Sequence, residues 1–362
     1  MKRALLTALA LAGAPAVARR MHRNRVLIVT YHGFTEGASP PGAENSFDLH
    51  LPVARLRQQL LYLRRRYHVV PLERVVAHYA QGRPLPPYPA ALTIDDGYRS
   101  TYTLAYPVLR ALGLPATLFV ATDFVGRGAP LLYDRVEYAL GHTPERSVTL
   151  AADGKAAVLP LGTAAQRAAA VGRVRALLRD LGEEGRRRLV EELERRAGVA
   201  LRLDGAPPAL YAPLTWDEVR EMAAGGLVTV GSHTCTHPSL ARVPLDAARR
   251  EVVRSRQAVE REVGSPCRLF SYPYGGPGDV NAAVRALVRE AGYAGAVATL
   301  SALNGRDADP FALCRVHAPS DLRDFALRVS GCRALLTSLR RGPRRPAGAP
   351  RRAPRRERAP GL

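Results

Sequence analysis

The chain has 362 residues, of which 47% are hydrophobic and 23% charged. It can therefore bury a large core, as one big domain or two modest ones, and neither a wholly disordered chain nor a polytopic membrane protein fits this balance. The formal net charge is +21, carried almost entirely by arginine, because lysine occurs only at Lys2 and Lys155. The abundance of arginine and alanine indicates a compositional bias as much as a selected basic surface.

Residues 1–24 are predicted to be a signal peptide or a membrane-associating segment. Two basic residues precede an apolar run at 4–18, and the tripeptide AVA at 16–18 resembles a signal-peptidase site. Four arginines follow between positions 19 and 25, and dense positive charge there disfavours translocation. The run is also shorter than the ~20 residues that span a bilayer. A cleaved export signal and a basic amphipathic anchor on the cytoplasmic membrane face both stay open, and either places the protein at the membrane or exported into the cell envelope.

Seven short apolar runs are predicted to be strands buried on both faces. They lie at 25–31, 90–95, 115–121, 226–232, 267–272, 293–299 and 311–316. Amphipathic segments at 102–113, from 247 onward and at 281–292 separate several of them, with Gly113, Gly264 and Gly292 as predicted helix ends. Alternating strands and helices predict an α/β fold with a parallel sheet, and seven strands with helical crossovers suggest a barrel.

A helical insertion interrupts this alternation at about residues 127–212. Its centre, 164–198, is predicted to be a pair of helices broken near Gly182. The segment contains no cluster of chemically reactive residues. It could be a lid or a docking surface, but a simple cover over apolar surface is the favoured interpretation.

The barrel is predicted to extend over residues 25–338, and residues 339–362 to form a disordered tail. The tail has nine arginines from position 340 onward and only one acid, Glu357, and its prolines prevent a regular helix. Such a tail could bind an anionic membrane surface. No aromatic residue lies among the arginines to stack on a base, so no specific nucleic acid is predicted as a partner, and a solvated appendage is the favoured interpretation. The oligomeric state cannot be read from the sequence.

The four cysteines have no CxxC spacing, which excludes a zinc ribbon and a thioredoxin-like motif. A disulfide between Cys267 and Cys314 stays open. Buried free thiols are the other interpretation.

Two adjacent carboxylates, Asp95 and Asp96, end the second strand in the sequence LTIDDGYRS. They are predicted to lie at the rim where barrel enzymes carry out chemistry. Two like charges buried side by side are costly unless a cation or a chemical task compensates. A helix cap would explain one of the two residues but not both.

A pair of histidines, His233 and His237, ends another strand in the sequence GSHTCTH. Four residues apart, they lie on one face of a helical turn, within reach of one ion. A lone histidine here would more often be a core residue, but this pair, matched by the acidic pair, indicates a metal. Two histidines and one carboxylate leave coordination positions for water and substrate. Thr234 stands where HExxH has glutamate, so a zincin protease is not predicted.

Three motifs in order resemble the polysaccharide deacetylase family, the NodB homology domain of carbohydrate esterase family 4. They are LTIDDGYRSTYTLAYPVLRALGLPATLFV, then TWDEVREMAAGGLVTVGSHTCTHPSL, then FSYPYGG, and VTYHGF at 29–34 resembles the first strand of many members. The resemblance covers most of residues 25–330. It implies a deformed (β/α)7 barrel, here with a helical insertion, and a metal-dependent hydrolase that removes acetyl groups, usually from N-acetylated sugars.

Carried onto this chain, the resemblance implies that Asp96, His233 and His237 bind a divalent metal ion. Zinc is favoured, with cobalt, nickel and manganese as alternatives. Asp95 would be the general base that takes a proton from the metal-bound water. His317 is the candidate general acid, and His32 its rival for the acid or a substrate contact.

The motif FSYPYGG is implied to form one wall of the substrate groove, through Tyr272, Pro273 and Tyr274, with the Tyr274 N–H directed to the oxyanion. Ser271 stands where many members have an arginine that pairs with the base, so Arg315 or another basic residue is a candidate replacement. The three residues could equally pack beside a proline turn.

The predicted function is removal of N-acetyl groups from an acetylated glycan, a bacterial surface polysaccharide or its lipid-linked precursor. An O-acetyl esterase would use the same metal-activated water with an easier leaving group. A non-catalytic carbohydrate-binding or membrane-docking module is the alternative from another class, and the retained Asp95 argues against it.

Overall fold

A computed structural model describes residues 13–37, 43–46, 48–152, 155–204 and 207–332. Most of the apolar run at 4–18 and the whole predicted tail at 339–362 lie outside the described residues. Within those ranges, no helix combines the length and apolar character that crossing a bilayer requires.

The described residues form twelve strands and twelve α-helices. The strands are β1 Leu27–Tyr31, β2 Gly33–Thr35, β3 His50–Pro52, β4 His68–Val69, β5 Pro89–Ile94, β6 Ala116–Val120, β7 Ser147–Ala152, β8 Lys155–Pro160, β9 Val228–Ser232, β10 Leu269–Ser271, β11 Gly295–Val297 and β12 Val316–His317. The helices are α1 Ala14–Met21, α2 Val53–Arg66, α3 Leu72–Gln81, α4 Tyr106–Leu112, α5 Thr122–Arg127, α6 Leu132–His142, α7 Ala164–Asp180, α8 Glu183–Ala197, α9 Trp216–Ala224, α10 Leu245–Val263, α11 Ala282–Glu290 and α12 Leu322–Val329.

The seven predicted apolar runs are confirmed as the strands of one curled parallel sheet. Its order is β11-β10-β9-β6-β5-β1-β12, and the short β4 pairs with β5 outside this path. Leu27 to Tyr31 pair in register with Ala90 to Ile94, so the carboxyl ends of β1 and β5 lie at the same edge. Such a sheet is the core of the predicted deformed (β/α)7 barrel.

Burial on both faces explains the apolar composition of these strands. Every residue of β1, β5 and β6 is buried, between the barrel interior and the helices outside it. The predicted helix ends at Gly113 and Gly264 are confirmed, since both are left-handed caps with φ of 62° and 72°. Helix α11 ends at Glu290, two residues before the predicted Gly292, which has φ of 83°. A π-helical turn over Thr101–Ala105 precedes α4.

The insertion is a small unit with its own apolar core, built from α6, the hairpin β7–β8, α7 and α8. Val136, Leu159, Val174 and Leu193 are among its fully buried residues. The predicted helix pair is present at α7 and α8, but the antiparallel hairpin was not predicted. The interpretation that this segment only covers the barrel is too narrow, because a buried core of its own makes it a structural unit.

All four cysteines are free, so the disulfide between Cys267 and Cys314 is not formed. Burial raises the pKa of Cys267 to about 12 and that of Cys235 to about 11. These thiols are therefore protonated at neutral pH and chemically inert.

Candidate active site

The parallel sheet brings the predicted site residues to one rim, because each follows the carboxyl end of a strand. His32 follows β1, Asp95 and Asp96 follow β5, His233 follows β9, and His317 ends β12. The same rim holds three further predicted residues, which are His237, Tyr272 and Tyr274, and all eight line one cavity of about 550 Å³. Pro273 lies in the turn between the two tyrosines and is not among the residues that line this cavity.

Backbone strain is concentrated at this rim. Asp96, Thr234, His237 and Tyr274 have φ of 75°, 66°, 60° and 61°, in the left-handed region that residues with a side chain rarely adopt. Such conformations cost roughly 1–3 kcal/mol each and persist where the surrounding structure holds them for a function. Gly275 continues the strained turn at φ 61°, and a Cβ there would lie 2.6 Å from the backbone nitrogen of Thr299.

Asp96, His233 and His237 form a triad with the geometry of a metal site. One potential ligand atom from each lies within 4.8 Å of the others. The distances from Asp96 Oδ1 to Nε2 of His233 and His237 are 3.5 and 3.4 Å. Two ligands bound at ~2.1 Å in a tetrahedral arrangement would be about 3.4 Å apart, so the triad fits one divalent ion.

The imidazole of His233 is held in the orientation that metal binding needs. Its Nδ1 lies 2.7 Å from the carbonyl oxygen of Ser271. Nδ1 therefore carries the proton and donates it to this carbonyl, which leaves the Nε2 lone pair directed at the triad. His237 packs edge-on against His233 and Tyr274, with ring centroids 4.8 and 4.9 Å apart.

The charges at the triad favour a cation. Burial raises the pKa of Asp96, but the interaction with His233 and with the other nearby histidines outweighs burial, so the pKa lies well below its usual value. Burial and, next, the neighbouring His233 lower the pKa of His237 to about 3. The aspartate is thus ionised and this imidazole neutral at pH 7, the states in which both side chains bind metals.

Arg315 pairs with Asp95. It is the basic residue that was predicted to substitute for an arginine at position 271. Its Nη1 and Nη2 donate to Oδ1 and Oδ2 of Asp95, both at 2.7 Å, in a bidentate geometry. Nη2 also donates to the Ser271 hydroxyl oxygen at 3.0 Å. Arg315 reaches the site from the segment just before β12, and its side chain is 1% exposed. The segment that leads into β12 therefore supplies the positive charge that Ser271 cannot supply.

This pairing keeps Asp95 ionised. Burial raises the pKa of Asp95, but the charge of Arg315 and its hydrogen bonds hold the pKa below the usual value. The Oδ2 atom lies 3.9 Å from Nε2 of His233, so the carboxylate faces the triad without belonging to it. Asp95 can therefore act on a molecule bound at the triad.

His32 and His317 lie side by side, with ring centroids 5.8 Å apart. Among the residues that the structure describes, the buried Nδ1 of each has no hydrogen-bond partner. Burial lowers the pKa of both, that of His317 to about 4, so both rings are neutral at pH 7. Both line the cavity that the triad lines, which leaves both as candidates to exchange a proton with a bound molecule.

The two tyrosines of the turn differ in what they can do. Tyr272 is buried, and its hydroxyl donates to the carbonyl oxygen of Phe311 at 2.9 Å. Its ring packs on Phe270, so Tyr272 is mainly a packing residue. Tyr274 packs instead against His237 and against Tyr133 of the insertion, 5.1 Å between ring centroids. Only Tyr274 is placed between the triad and the insertion.

The insertion forms part of the cavity wall, which the sequence did not indicate. Tyr133, Asp134, Arg175 and Arg186 line the cavity together with the rim residues. The Tyr98 hydroxyl donates to Asp134, and burial raises the pKa of Asp134 well above its usual value. No spacing in the sequence relates these residues to the barrel motifs.

The curled sheet and the buried triad at its rim define the polysaccharide deacetylase fold. The sequence model described as "Polysaccharide deacetylase" matches residues 82–296, more than half of the chain, and the chain belongs to this family.

Known relatives resemble the chain to different extents. The Poly-beta-1,6-N-acetyl-D-glucosamine N-deacetylase of Escherichia coli (strain K12) is 32% identical over 94 residues, which are 26% of this chain and 13% of that protein. The chain thus matches a small part of the length of this curated relative.

Solved structures extend the likeness in fold. The Streptococcus pyogenes deacetylase PplD in complex with acetate has a TM-score of 0.55 at 16% identity, over 84% of this chain and 98% of that one. IcaB from Ammonifex degensii has a TM-score of 0.54 at 18% identity, over 84% and 97%.

Proposed function

We propose that the protein is a metal-dependent hydrolase that removes N-acetyl groups from an N-acetylated sugar in a bacterial surface polysaccharide or its lipid-linked precursor. The observation that carries the proposal is the meeting of Asp96, His233 and His237 within 4.8 Å, beside a separate carboxylate, Asp95, that Arg315 keeps ionised. A site that only binds carbohydrate has no need of an ionised base next to three metal ligands.

The donor set fits a divalent metal ion, with zinc favoured over cobalt, nickel or manganese. Two imidazoles and one carboxylate leave the remaining positions open, as in catalytic zinc sites. When bound, such an ion polarises the acetyl carbonyl and lowers the pKa of a bound water from about 15.7 towards 7.

The remaining steps belong to residues of the chain. Asp95 accepts a proton from the attacking water, and Arg315 holds both of its oxygens in place. The Tyr274 N–H lies in the strained turn beside His237, where it can donate to the oxyanion formed on the acetyl group. The departing amine is a poor leaving group until it is protonated. His317, or its neighbour His32, is neutral at rest and would pass to the amine a proton that it takes up from solvent.

The family and one relative support the proposal that the substrate is an amide, the N-acetyl group of a sugar. The chain belongs to a family described as polysaccharide deacetylase, and the curated relative is named for N-deacetylation of poly-beta-1,6-N-acetyl-D-glucosamine. The aromatic rings of Tyr133 and Tyr274 line the cavity, and such rings stack on the apolar faces of sugars.

Acetate release tests the proposal. Zinc-reconstituted protein should release acetate from oligomers of N-acetylglucosamine, and Asp95→Asn and His233→Ala should each lose at least about a hundredfold in rate. The matched control is Arg173→Gln, an exposed change on α7, which should leave the rate unaltered. Full activity in both site variants, or acetate release from O-acetylated xylan alone, would contradict the proposal.

We also infer that the protein works at the membrane or in the cell envelope. Helix α1 exposes Val17 and Met21, 62% and 67% accessible, beside Arg19 and Arg20, a composition suited to an anionic membrane surface. Proteolysis of intact cells tests on which side of the membrane the protein lies, because an exported protein is digested and a cytoplasmically anchored one is protected. Protection from protease in intact cells together with recovery entirely in the soluble fraction of lysed cells would contradict both placements.

A further inference from the structure

The two histidines of the triad are joined by the short loop 234–236, whose backbone sets where their side chains point. Thr234 and His237 have φ of 66° and 60°, in the left-handed region that such residues rarely adopt. Within the loop, the His237 N–H donates to Thr234 Oγ1 at 3.0 Å. A strained conformation of this kind persists only where contacts from the surrounding structure hold it.

Helix α5 holds the loop through its carbonyl oxygens. The Thr122 N–H donates to the carbonyl oxygen of Thr234 at 3.1 Å. The Asp123 N–H donates to the carbonyl oxygen of Cys235 at 3.0 Å. Each residue of the loop also has a backbone N–H that needs an acceptor when it is shielded from water. Helix α5 offers only donors here, so the N–H groups of Cys235 and Thr236 need a partner from another element.

The carboxylate of Glu251, on α10, is that partner. Its Oε2 accepts from the backbone N–H groups of Cys235 and Thr236 at 2.7 and 3.0 Å. Its Oε1 accepts from the Thr236 hydroxyl at 2.9 Å. One side chain therefore receives three hydrogen bonds from two consecutive residues that lie between His233 and His237. Hydrogen bonds to an ionised acceptor are roughly twice as strong as those between neutral groups.

Glu251 is committed to this loop. In the part of the chain that the structure describes, its carboxylate forms no ion pair, whereas Glu260 and Glu262 of the same helix pair with arginines. The helix itself is fixed, because Ala248 and Val252 are buried in the core on either side of Glu251. A rigid helix thus carries the acceptor that fixes the loop.

We propose that Glu251 is a positioning residue of the metal site, which holds the loop in the conformation that directs His233 and His237 at one ion. The inference rests on the proposed function for its metal, but the three hydrogen bonds are independent of it. Glu251 is neither a ligand nor an acid or base in the reaction. Its effect is on affinity, because a loop that is already ordered does not have to be ordered when the ion binds.

Equilibrium binding of zinc tests this role, by competition with a chromophoric chelator at a temperature where circular dichroism shows each variant to be folded. Glu251→Ala should weaken zinc binding about tenfold or more, the usual effect of removing a group that orients metal ligands. A residue that only stabilised the fold would leave the zinc affinity of the folded protein unchanged. The matched control is Glu262→Ala on the same helix, whose carboxylate pairs with Arg220 and Arg261, and it should bind zinc as the wild type does.

Two conservative variants separate the hydrogen bonds from the charge. Glu251→Gln keeps the length of the side chain and an oxygen that accepts from both N–H groups, so it should retain most of the affinity. Glu251→Asp keeps the charge but withdraws the carboxylate by one carbon–carbon bond, so it should bind zinc about as weakly as Glu251→Ala. Wild-type affinity in Glu251→Ala, or a glutamine variant as weak as the alanine variant, would overturn the role. If Glu251→Ala does not fold, equal affinities in Glu251→Gln and Glu251→Asp would overturn it.

The outcome is distinguishable from failure of the proposed function. Acetate release by the wild type, together with unchanged zinc affinity in Glu251→Ala, would retain the deacetylase and remove the role of Glu251. Weaker zinc binding in Glu251→Ala, without acetate release by the wild type from any substrate, would retain that role and remove the deacetylase.

Discussion

Replacement of Arg315 by methionine should raise the pKa of the catalytic base, Asp95. The guanidinium and the Asp95 carboxylate are 1% and 3% exposed and joined by two 2.7 Å hydrogen bonds. Removing one partner of such a buried pair costs roughly 3–5 kcal/mol, which the carboxylate avoids by taking up a proton. At 1.36 kcal/mol per unit, this corresponds to a rise of about 2–4 units in the pKa of Asp95. A metal ion at the triad would offset part of the rise, so we expect about 2.

The sign of the effect appears in the pH profile. In the wild type the pKa of Asp95 is lowered, so activity that depends on this base should persist to acidic pH. In Arg315→Met the acid limb of kcat/KM should shift upward by about two units, so the loss of activity should be largest at the acid end of the profile and shrink as the pH rises. The same linkage affects stability: the contribution of the pair is fully present above the unfolded pKa of about 3.9 and is lost as the pH falls through the folded value.

The assay is acetate release from N-acetylglucosamine oligomers between pH 5 and 9. Arg285→Met, which removes a half-buried pair with Asp309, is the matched control and should leave the profile unchanged. Adding Ser271→Arg to Arg315→Met should restore part of the acid-side activity, because the Ser271 hydroxyl lies 3.3 Å from Asp95 Oδ2. An Arg315→Met enzyme that is equally impaired at every pH would refute the reasoning.

Two further predictions concern the proton donor and the strained turn. His317→Asn should slow acetate release from the amide much more than from 4-nitrophenyl acetate, because only the amine needs protonation to leave; the same pattern in His32→Asn instead would assign the acid to His32. Gly275→Ala should lower the unfolding free energy by about 1–3 kcal/mol, because the residue has φ of 61° and a Cβ would lie 2.5 Å from Thr299 Oγ1. Gly82→Ala, with φ of 70° and open space around it, should cost less in the same denaturant titration.

The barrel was predictable because its strands are apolar in an uninterrupted way. Runs such as 27–31 and 89–94 are buried on both faces, and their largely apolar composition predicts this burial. The hairpin β7–β8 was missed because its polar–apolar alternation extends only over SVTL, and the four alanines that follow are poor strand formers. The helix pair α7 and α8 was predictable from its period and from the break near Gly182.

The site was predictable where neighbouring residues share one task. The adjacent Asp95 and Asp96 and the spacing of His233 and His237 predict, from the sequence alone, a metal site at the carboxyl ends of the strands. The partner of Asp95 could be named only as one candidate, because Arg315 lies 220 residues further along the chain and only the fold brings them together. The cavity wall made by Arg175 has no signature in the sequence for the same reason.

The metal content of the purified protein tests the central claim most directly. After incubation with zinc and removal of the excess, we expect one ion per chain in the wild type and much less than one in Asp96→Ala and in His237→Ala, measured by inductively coupled plasma mass spectrometry. Asp95→Asn should retain the ion, because its carboxylate faces the triad without belonging to it. A wild-type protein that binds no divalent ion, or triad variants that bind it as well as the wild type, would contradict the account.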